Sequence, residues 1–348
     1  MALFGFGRGG RTVGLDIGSG YIKLAVVEHG KKGPRLLRAA MAPLVPDAIV
    51  EGEIMDPTLV AQTVKQLYAS SGVKQKKVVA AVGGRDVIIK KLQMDRMKES
   101  DAREVIRWEA QQHVPFDMES VELDFQILDP YDEGLQMAVL LVAAKRELIE
   151  NRVALLQEAG LAPAVIDVDA FALHNAFEVN YPEAMMGVTG FLNVGHETTN
   201  VSILEDGVPV LTRDLGFGTR RLREDLQREK GLTSDTADEV LEGRNSSPQL
   251  EGFLAERAGE LALGVERAAA FLQAGTVSGG IAKMYLCGGG SRVPGLATAL
   301  GEKLRVPTEV ANPFQRVDVA PGAVEMYSLD EMAPMMMLPL GLALRHAA

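Results

Sequence analysis

Residues 13–28 read VGLDIGSGYIKLAVVE, and residues 190–207 read GFLNVGHETTNVSILEDG. In the first stretch an apolar run, Val13–Ile17, meets three small residues, Gly18-Ser19-Gly20, and a second run, Tyr21–Glu28. A third run, Arg35–Ala40, follows another Gly-containing turn. Apolar runs broken by such turns predict antiparallel strands. The second stretch predicts the same motif, with strands Phe191–Val194, Thr199–Glu205 and Val208–Thr212. Asp206-Gly207 between two of them is a strong hairpin signal. Placing Asp16 on Asn193, an ungapped offset of 177 residues, puts Gly18 on Gly195, Leu24 on Val201, Val26 on Ile203, Glu28 on Glu205 and Gly30 on Gly207. Self-similarity at that distance predicts two related lobes, not the short period of a solenoid.

Helices separate these strand groups. Asp56-Pro57 pairs an N-cap residue with a proline at the first helical position; Val60, Val64 and Leu67 then share a face, and Gly72 is the stop signal. Ser100 is read as the cap of a helix burying Ala102, Val105, Ile106 and Ala110 and ending before Pro115. Another helix spans about Lys145 to Gly160. The longest carries Leu254, Ala258, Leu261, Val265, Ala268 and Leu272 at spacings of three and four, a core-facing stripe. Between Lys77 and Gly160, strand, helix, strand, strand and helix predict a small α+β insertion, with strands at Val78–Val82, Asp86–Leu92, Val121–Leu128 and Met137–Ala143. Residues 242–249, EGRNSSPQ, read as a surface loop.

Three Gly-rich turns follow apolar strands and carry the candidate chemistry. At Asp16-Ile17-Gly18-Ser19-Gly20-Tyr21-Ile22-Lys23, small residues let backbone N–H groups approach a phosphate. Lys23 offers a compensating charge, and Asp16 can orient a magnesium-bound water. Asn193 to Asn200, with Gly195, Thr198 and Thr199, would line the opposite side. Cys287-Gly288-Gly289-Gly290-Ser291, before a helix starting near Pro294, offers a flat surface for a purine and a helix N-terminus near phosphate. The sequence has no GxxxxGK[ST] loop and no GxGxxG after its first strand, so P-loop and Rossmann chemistry are unsupported.

Composition narrows the remaining classes. The chain of 348 residues carries 36 basic and 47 acidic side chains, a net charge of −11, which argues against nucleic-acid binding by bulk charge. Its one cysteine, Cys287, excludes an intrachain disulfide and reads as a small buried apolar residue. The apolar stretch Met335–Leu344 is about half the ~20 residues of a membrane span and contains Pro339. The segment MALFGFGRGG does not read as a secretory signal, and Phe4 and Phe6 are assigned to a frayed tail. His113, His174 and His196 show no metal spacing. Trp108 and Met335-Met336-Met337 are read as packing residues, and the arginines at 220, 221 and 223 as a solvated face.

The order of the three turns resembles the phosphate-1, phosphate-2 and adenosine motifs of the actin, Hsp70 and sugar-kinase superfamily. Within it, GLDIGSGYIKLAVVE, VIRWEAQQHVPF and PLGLALR resemble the PilM family of type IV pilus assembly proteins, which is close to the FtsA family. The resemblance implies an α/β, bilobed actin-like fold with duplicated lobes. It divides the chain into a first lobe (1–77, 161–187, 326–348), an inserted α+β subdomain (78–160) and a second lobe (188–325, with a subdomain at about 219–275). It implies ATP and magnesium in the central cleft. Asp16, Gly18, Ser19, Gly20, Tyr21 and Lys23 would form the first phosphate loop, with Asp16 reaching the metal through water. Gly195, Thr198 and Thr199 would form the second, and Gly288, Gly289, Gly290 and Ser291 the adenosine side.

Asn193 departs from the acidic residue usual there, so ATP binding is expected with weak or absent hydrolysis. The implied partners are the N-terminal cytoplasmic peptide of PilN, held between the first lobe and the insertion, other pilus components including the motor ATPase, and further copies of the chain in a ring. The implied location is cytoplasmic, peripheral to the inner membrane through PilN. An FtsA-like filament former and a small-molecule kinase are the alternatives.

Overall fold

The computed structural model describes residues 10–129, 134–270, 280–324 and 328–345; Phe4, Phe6 and Leu272 lie outside them. The chain begins with β1 (Arg11–Ile17), β2 (Tyr21–Gly30), β3 (Gly33–Pro43), a small hairpin of β4 (Ile49–Val50) and β5 (Glu53–Ile54), α1 (Pro57–Ser71) and β6 (Lys77–Val82). It continues through β7 (Val87–Asp95), α2 (Glu99–Gln111), β8 (Val121–Ile127), β9 (Gln136–Lys145), α3 (Arg146–Glu158), β10 (Ala162–Val168) and α4 (Asp169–Asn180). Then come β11 (Val188–Val194), β12 (Thr199–Glu205), β13 (Val208–Leu215), α5 (Thr219–Lys230), α6 (Ser234–Leu241) and α7 (Pro248–Ala270). The last described elements are β14 (Lys283–Cys287), α8 (Leu296–Leu304), β15 (Thr308–Val310), β16 (Asp318–Val319), α9 (Leu329–Met332) and α10 (Met337–Leu344).

The repeat seen in the sequence is a repeat of topology. One sheet has the order β10-β6-β1-β2-β3-β16 and the other β13-β12-β11-β14-β15. In each, a central strand pairs antiparallel with the next strand and parallel with a later one: β1 with β2 and β6, β11 with β12 and β14. Even the register repeats. Asp16 lies opposite Lys23, and Asn193, at the same offset, lies opposite Asn200. Asp206 and Gly207 both have positive φ, as the hairpin signal requires.

Local signals account for the elements around these sheets. The Asp56 side chain accepts from the Leu59 N–H at 2.9 Å, Pro57 opens α1, and Gly72 closes it in the left-handed region. α1 and α3 cover one face of the first sheet, burying Val60, Val64, Leu155 and Leu156 against Val13, Leu15 and Ile22. α4 lies between the two sheets. Its Ala172, Ala176 and Phe177 share one core with Val79 and Ala81 of the first sheet, Phe191 and Tyr285 of the second, and Leu338 and Leu342 of α10. The Phe177 and Phe191 rings are 3.8 Å apart. Met335 and Met336 are buried in the first lobe, as expected of packing residues.

Three expectations need correction. Ser100 does not cap α2 but lies inside its first turn, after Lys98 at the N-cap position, and its hydroxyl donates to Asp101 at 3.0 Å. The insertion is narrower than 78–160: the three-stranded sheet β7-β9-β8 and α2 span Val87–Lys145. β6 belongs to the first sheet, and α3 buries Leu155 and Leu156 in that lobe's core. Trp108 is not a packing residue, being 72% exposed. At about 100° per residue it lies roughly 200° round the helix from Ile106, and Ala102, Ile106 and Ala110 form the buried face.

The PLGLALR segment gains its meaning from two close approaches. A methyl at Gly341 would overlap the backbone carbonyl of Ala172 in α4, and one at Gly14 would overlap the Pro339 carbonyl. Backbone cannot yield as a side-chain tip can. Gly341→Ala is therefore expected to destabilise the fold by about 1–3 kcal/mol or more, read as a lower denaturation midpoint in urea. An unchanged midpoint would contradict the α4–α10 contact.

Candidate functional site

A cleft of about 430 Å³ lies between the lobes. The first turn supplies Asp16, Gly18, Ser19, Gly20, Tyr21 and Lys23 to its wall, the second Gly195 and Thr198, and the third Gly288 and Gly289. The three turns thus converge from residues far apart in sequence. Three expected site residues stand behind the wall. Thr199 is fully buried and donates its hydroxyl to the Phe217 carbonyl at 2.8 Å. Gly290 is packed against Val194, and the buried Ser291 donates to the Gly288 carbonyl at 2.7 Å.

The loops are held by their own backbone. The Gly18 N–H donates to the Tyr21 carbonyl at 3.2 Å and the Gly195 N–H to the Thr198 carbonyl at 2.9 Å. The start of α5 grips the second loop, with the N–H groups of Thr219 and Arg220 donating to Gly195 and His196 at 3.1 and 2.8 Å. The His196 ring packs against Gly20, where a β-carbon would come within 2.9 Å of it. Burial, with Arg223 and Arg220 nearby, lowers this imidazole to about 4, so it is neutral at pH 7.

The repeated cross-strand positions carry different chemistry in the two lobes. Lys23 forms an ion pair with Asp16. At the matching place the Asn193 amide donates to Asn200 at 2.9 Å, and Asn200 donates in turn to Asp214 at 2.6 Å. The Cys287 thiol completes the row, 3.7 Å from the Asn193 carbonyl oxygen. This thiol is buried and pushed up to about 12, an inert structural group as expected.

Sequence reasoning missed several groups here. Asp169 opens α4 and lines the cleft, its carboxylate pressed against Gly83. Burial and then Asp16 raise it to about 7, against the pull of Arg152. Asp214 is also raised by burial, while Asn200 and the Gly84 backbone hold it down. Arg152 reaches the cleft from α3, and Arg223, Asp238 and Glu242 line the second-lobe side near the third turn. The available signal for Asp169 was an acidic residue opening a helix directly after an apolar strand.

A strap of charges crosses the cleft mouth. Arg220 of the second lobe pairs with Asp47 of the first at 2.9 Å and with Glu197 at 3.0 Å. Glu197 also accepts from the Glu51 N–H at 2.8 Å, and Arg85 pairs with Glu51 at 3.0 Å. Asp47 and Glu51 both hold the left-handed conformation, with φ of 63° and 50°. Arg221 pairs with Glu260, and Arg223 lies 3.8 Å from Asp238, so this basic cluster is engaged with acids. Among the described residues no group of three acidic, histidine or cysteine side chains is placed to hold a metal.

The profile of the family described as type IV pilus assembly protein PilM matches residues 14–347. The chain belongs to the PilM family. A solved PilM-PilN type IV pilus biogenesis complex is 31% identical with a TM-score of 0.84, covering 96% of this chain and 97% of that one. Ethanolamine utilization protein EutJ from Carboxydothermus hydrogenoformans is 17% identical at a TM-score of 0.58, over 96% and 89% of the two chains. MreB 5 of Spiroplasma citri bound to AMPPNP is 12% identical at 0.50, over 87% and 91%. These two likenesses show the shared actin-like fold that the chain builds around its cleft. Among the described residues no helix is long and apolar enough to cross a membrane.

Asp169 gives this PilM-family cleft a pH signature. Its folded value lies above its unfolded one, so its stabilising contribution is complete below about pH 4 and lost as pH rises to about 7. Asp169→Asn should remove that slope. Its stability relative to the native protein should climb between pH 4 and 7 by an amount on the order of 1 kcal/mol or more, then stay level. Urea midpoints across pH 4–9 test this, and parallel curves would refute it.

Proposed function

We propose that this protein is a nucleotide-binding scaffold of the type IV pilus assembly platform, cytoplasmic and peripheral to the inner membrane. It binds the N-terminal cytoplasmic tail of PilN and, as a homo-oligomer or ring, connects that platform to its motor ATPase. The observation that carries the reading is the likeness to the chain of the PilM-PilN complex over nearly the full length of both. An extended tail of this kind binds by backbone pairing, with pockets selecting side chains. β8 offers such pairing: it is an edge of the inserted sheet, bonded there to β9 alone. A dye-labelled PilN tail peptide should show saturable anisotropy with this protein, and a scrambled peptide should not. Equal behaviour of the two peptides would end the proposal.

ATP fits the cleft for reasons internal to it. Gly18, Gly20, Gly195, Gly288 and Gly289 line it, and a wall of residues without side chains lets a phosphate or a flat base come close to the backbone. In this reading Gly18, Ser19, Gly20, Tyr21, Lys23, Gly195 and Thr198 receive the phosphates, and Gly288 and Gly289 the adenosine. Thr199, Gly290 and Ser291 hold those walls in place. Magnesium would reach Asp16 through water and supply charge neutralisation at the phosphates.

Hydrolysis is slow or absent in this reading, because both ends of the Asn193 amide are engaged with Asn200 and Cys287 and neither is a carboxylate. The buried α10 offers no membrane-binding face, which disfavours the FtsA-like filament reading for this segment. Asn193 disfavours a small-molecule kinase. Labelled MgATP passed through gel filtration should be retained intact by the native protein, and Asp16→Ala should weaken retention about tenfold or more. Steady release of ADP by the native protein would reverse the view of Asn193.

A further inference from the structure

Most of the charged side chains around the cleft are committed to one another, and among the described residues Arg152 stands out as a cation that is both buried and short of partners. It lies in the middle of α3 and is only 8% exposed, yet it reaches the cleft wall. Its Nε and Nη1 are buried and have no hydrogen-bond partner. A guanidinium holds five N–H donors in a fixed planar fork and does not lose its charge in proteins. Leaving such donors unmet inside a protein is costly, and a buried cation keeps its place where an anion answers it. The nearest anionic groups are carboxylates: Asp169 and, more weakly, Asp16 act on it through space. Asp16 is already paired with Lys23, and Asp214 is held by Asn200. Lys23 is thus spoken for, and Arg152 is the cation at this end of the cleft with donors to spare.

We propose that Arg152 is a phosphate-binding residue, receiving a phosphate dianion on the side of the cleft lined by Asp16 and Asp169. That dianion is either the terminal phosphate of ATP or free phosphate beside ADP; the assignment rests on the nucleotide reading above. A planar fork and a phosphate match through two parallel N–H···O bonds, the geometry in which arginine surpasses lysine. Burial raises the nearby Asp169 to about 7, so near neutral pH it can take up a proton as a phosphate arrives and does not oppose it with a full fixed charge. The position also has a structural consequence. α3 starts at Arg146, directly after β9, the central strand of the inserted sheet. A phosphate on Arg152 would therefore bear on the helix that roots the insertion in the first lobe.

The test is calorimetric titration of the full chain with MgATP, with MgADP, and with MgADP plus inorganic phosphate, for the native protein, Arg152→Gln and Arg152→Lys. If Arg152 holds the terminal phosphate, Arg152→Gln lowers the ATP-to-ADP affinity ratio by about tenfold or more and leaves ADP affinity within about twofold. Arg152→Lys should recover part of the loss. If it holds free phosphate instead, native ADP affinity rises with added phosphate and the rise disappears in Arg152→Gln. An ATP-to-ADP ratio and a phosphate response both unchanged in a folded Arg152→Gln protein would overturn the role of Arg152 while leaving nucleotide binding intact. Failure of the native protein to bind any nucleotide would overturn the nucleotide reading and this role with it. Should Arg152→Gln not fold, the same comparison in Arg152→Lys decides, since lysine keeps the charge and loses the fork.

Discussion

The whole arrangement depends on a helix that serves two sheets at once. α4 has no solvent face to spare around Ala172, Ala176 and Phe177: one side meets Val79 and Ala81, another Phe191 and Tyr285. α10 closes the remaining side, its backbone brought down on α4 at Gly341 and on β1 at Gly14. Close packing of this sort admits little deformation, so the two lobes share a rigid root even where their outer ends are separate. The Gly-rich loops stand at the ends of β1, β11 and β14, the strands this root holds most directly. Their convergence on one cleft follows from it.

Duplication then supplies two copies of one hairpin, and divergence makes them unequal. The same register position carries a charged pair in the first lobe, Asp16 with Lys23, and a neutral amide pair in the second, Asn193 with Asn200. A charged pair can exchange one partner for a phosphate or a metal-bound water. An amide pair in a row ending at Asp214 and Cys287 is better suited to holding strands in place.

The hairpins were legible because antiparallel register is local: two runs and a short turn determine which residues face each other. The helix limits of α1 were legible for the same reason, through Asp56, Pro57 and Gly72. Asp169 and Arg152 were not, since they meet Asp16 only after the chain has folded across more than a hundred residues. Trp108 was misplaced although the track Ala102, Ile106, Ala110 was legible in the sequence: tryptophan's general tendency to be buried was weighed above the phase of that track, which sets residue 108 on the opposite face. The limits of the insertion were misread because β6, KVVAAV, has the apolar run of any buried strand and nothing in it says which sheet will take it. Thr199, Gly290 and Ser291 sit in the right motifs but on the inward side of each turn.

The strap of Asp47, Arg220, Glu197, Glu51 and Arg85 differs in kind from the apolar root at the other end of the cleft. Charges at an accessible mouth are shielded by dissolved ions, with a screening distance of roughly 8 Å at physiological ionic strength, whereas buried aromatic contacts are nearly indifferent to them. Ionic strength therefore acts on the strap more strongly than on the apolar root. Added salt weakens the strap and leaves the packed core of the root largely unchanged, so the two ends of the cleft answer differently to the electrolyte around the protein.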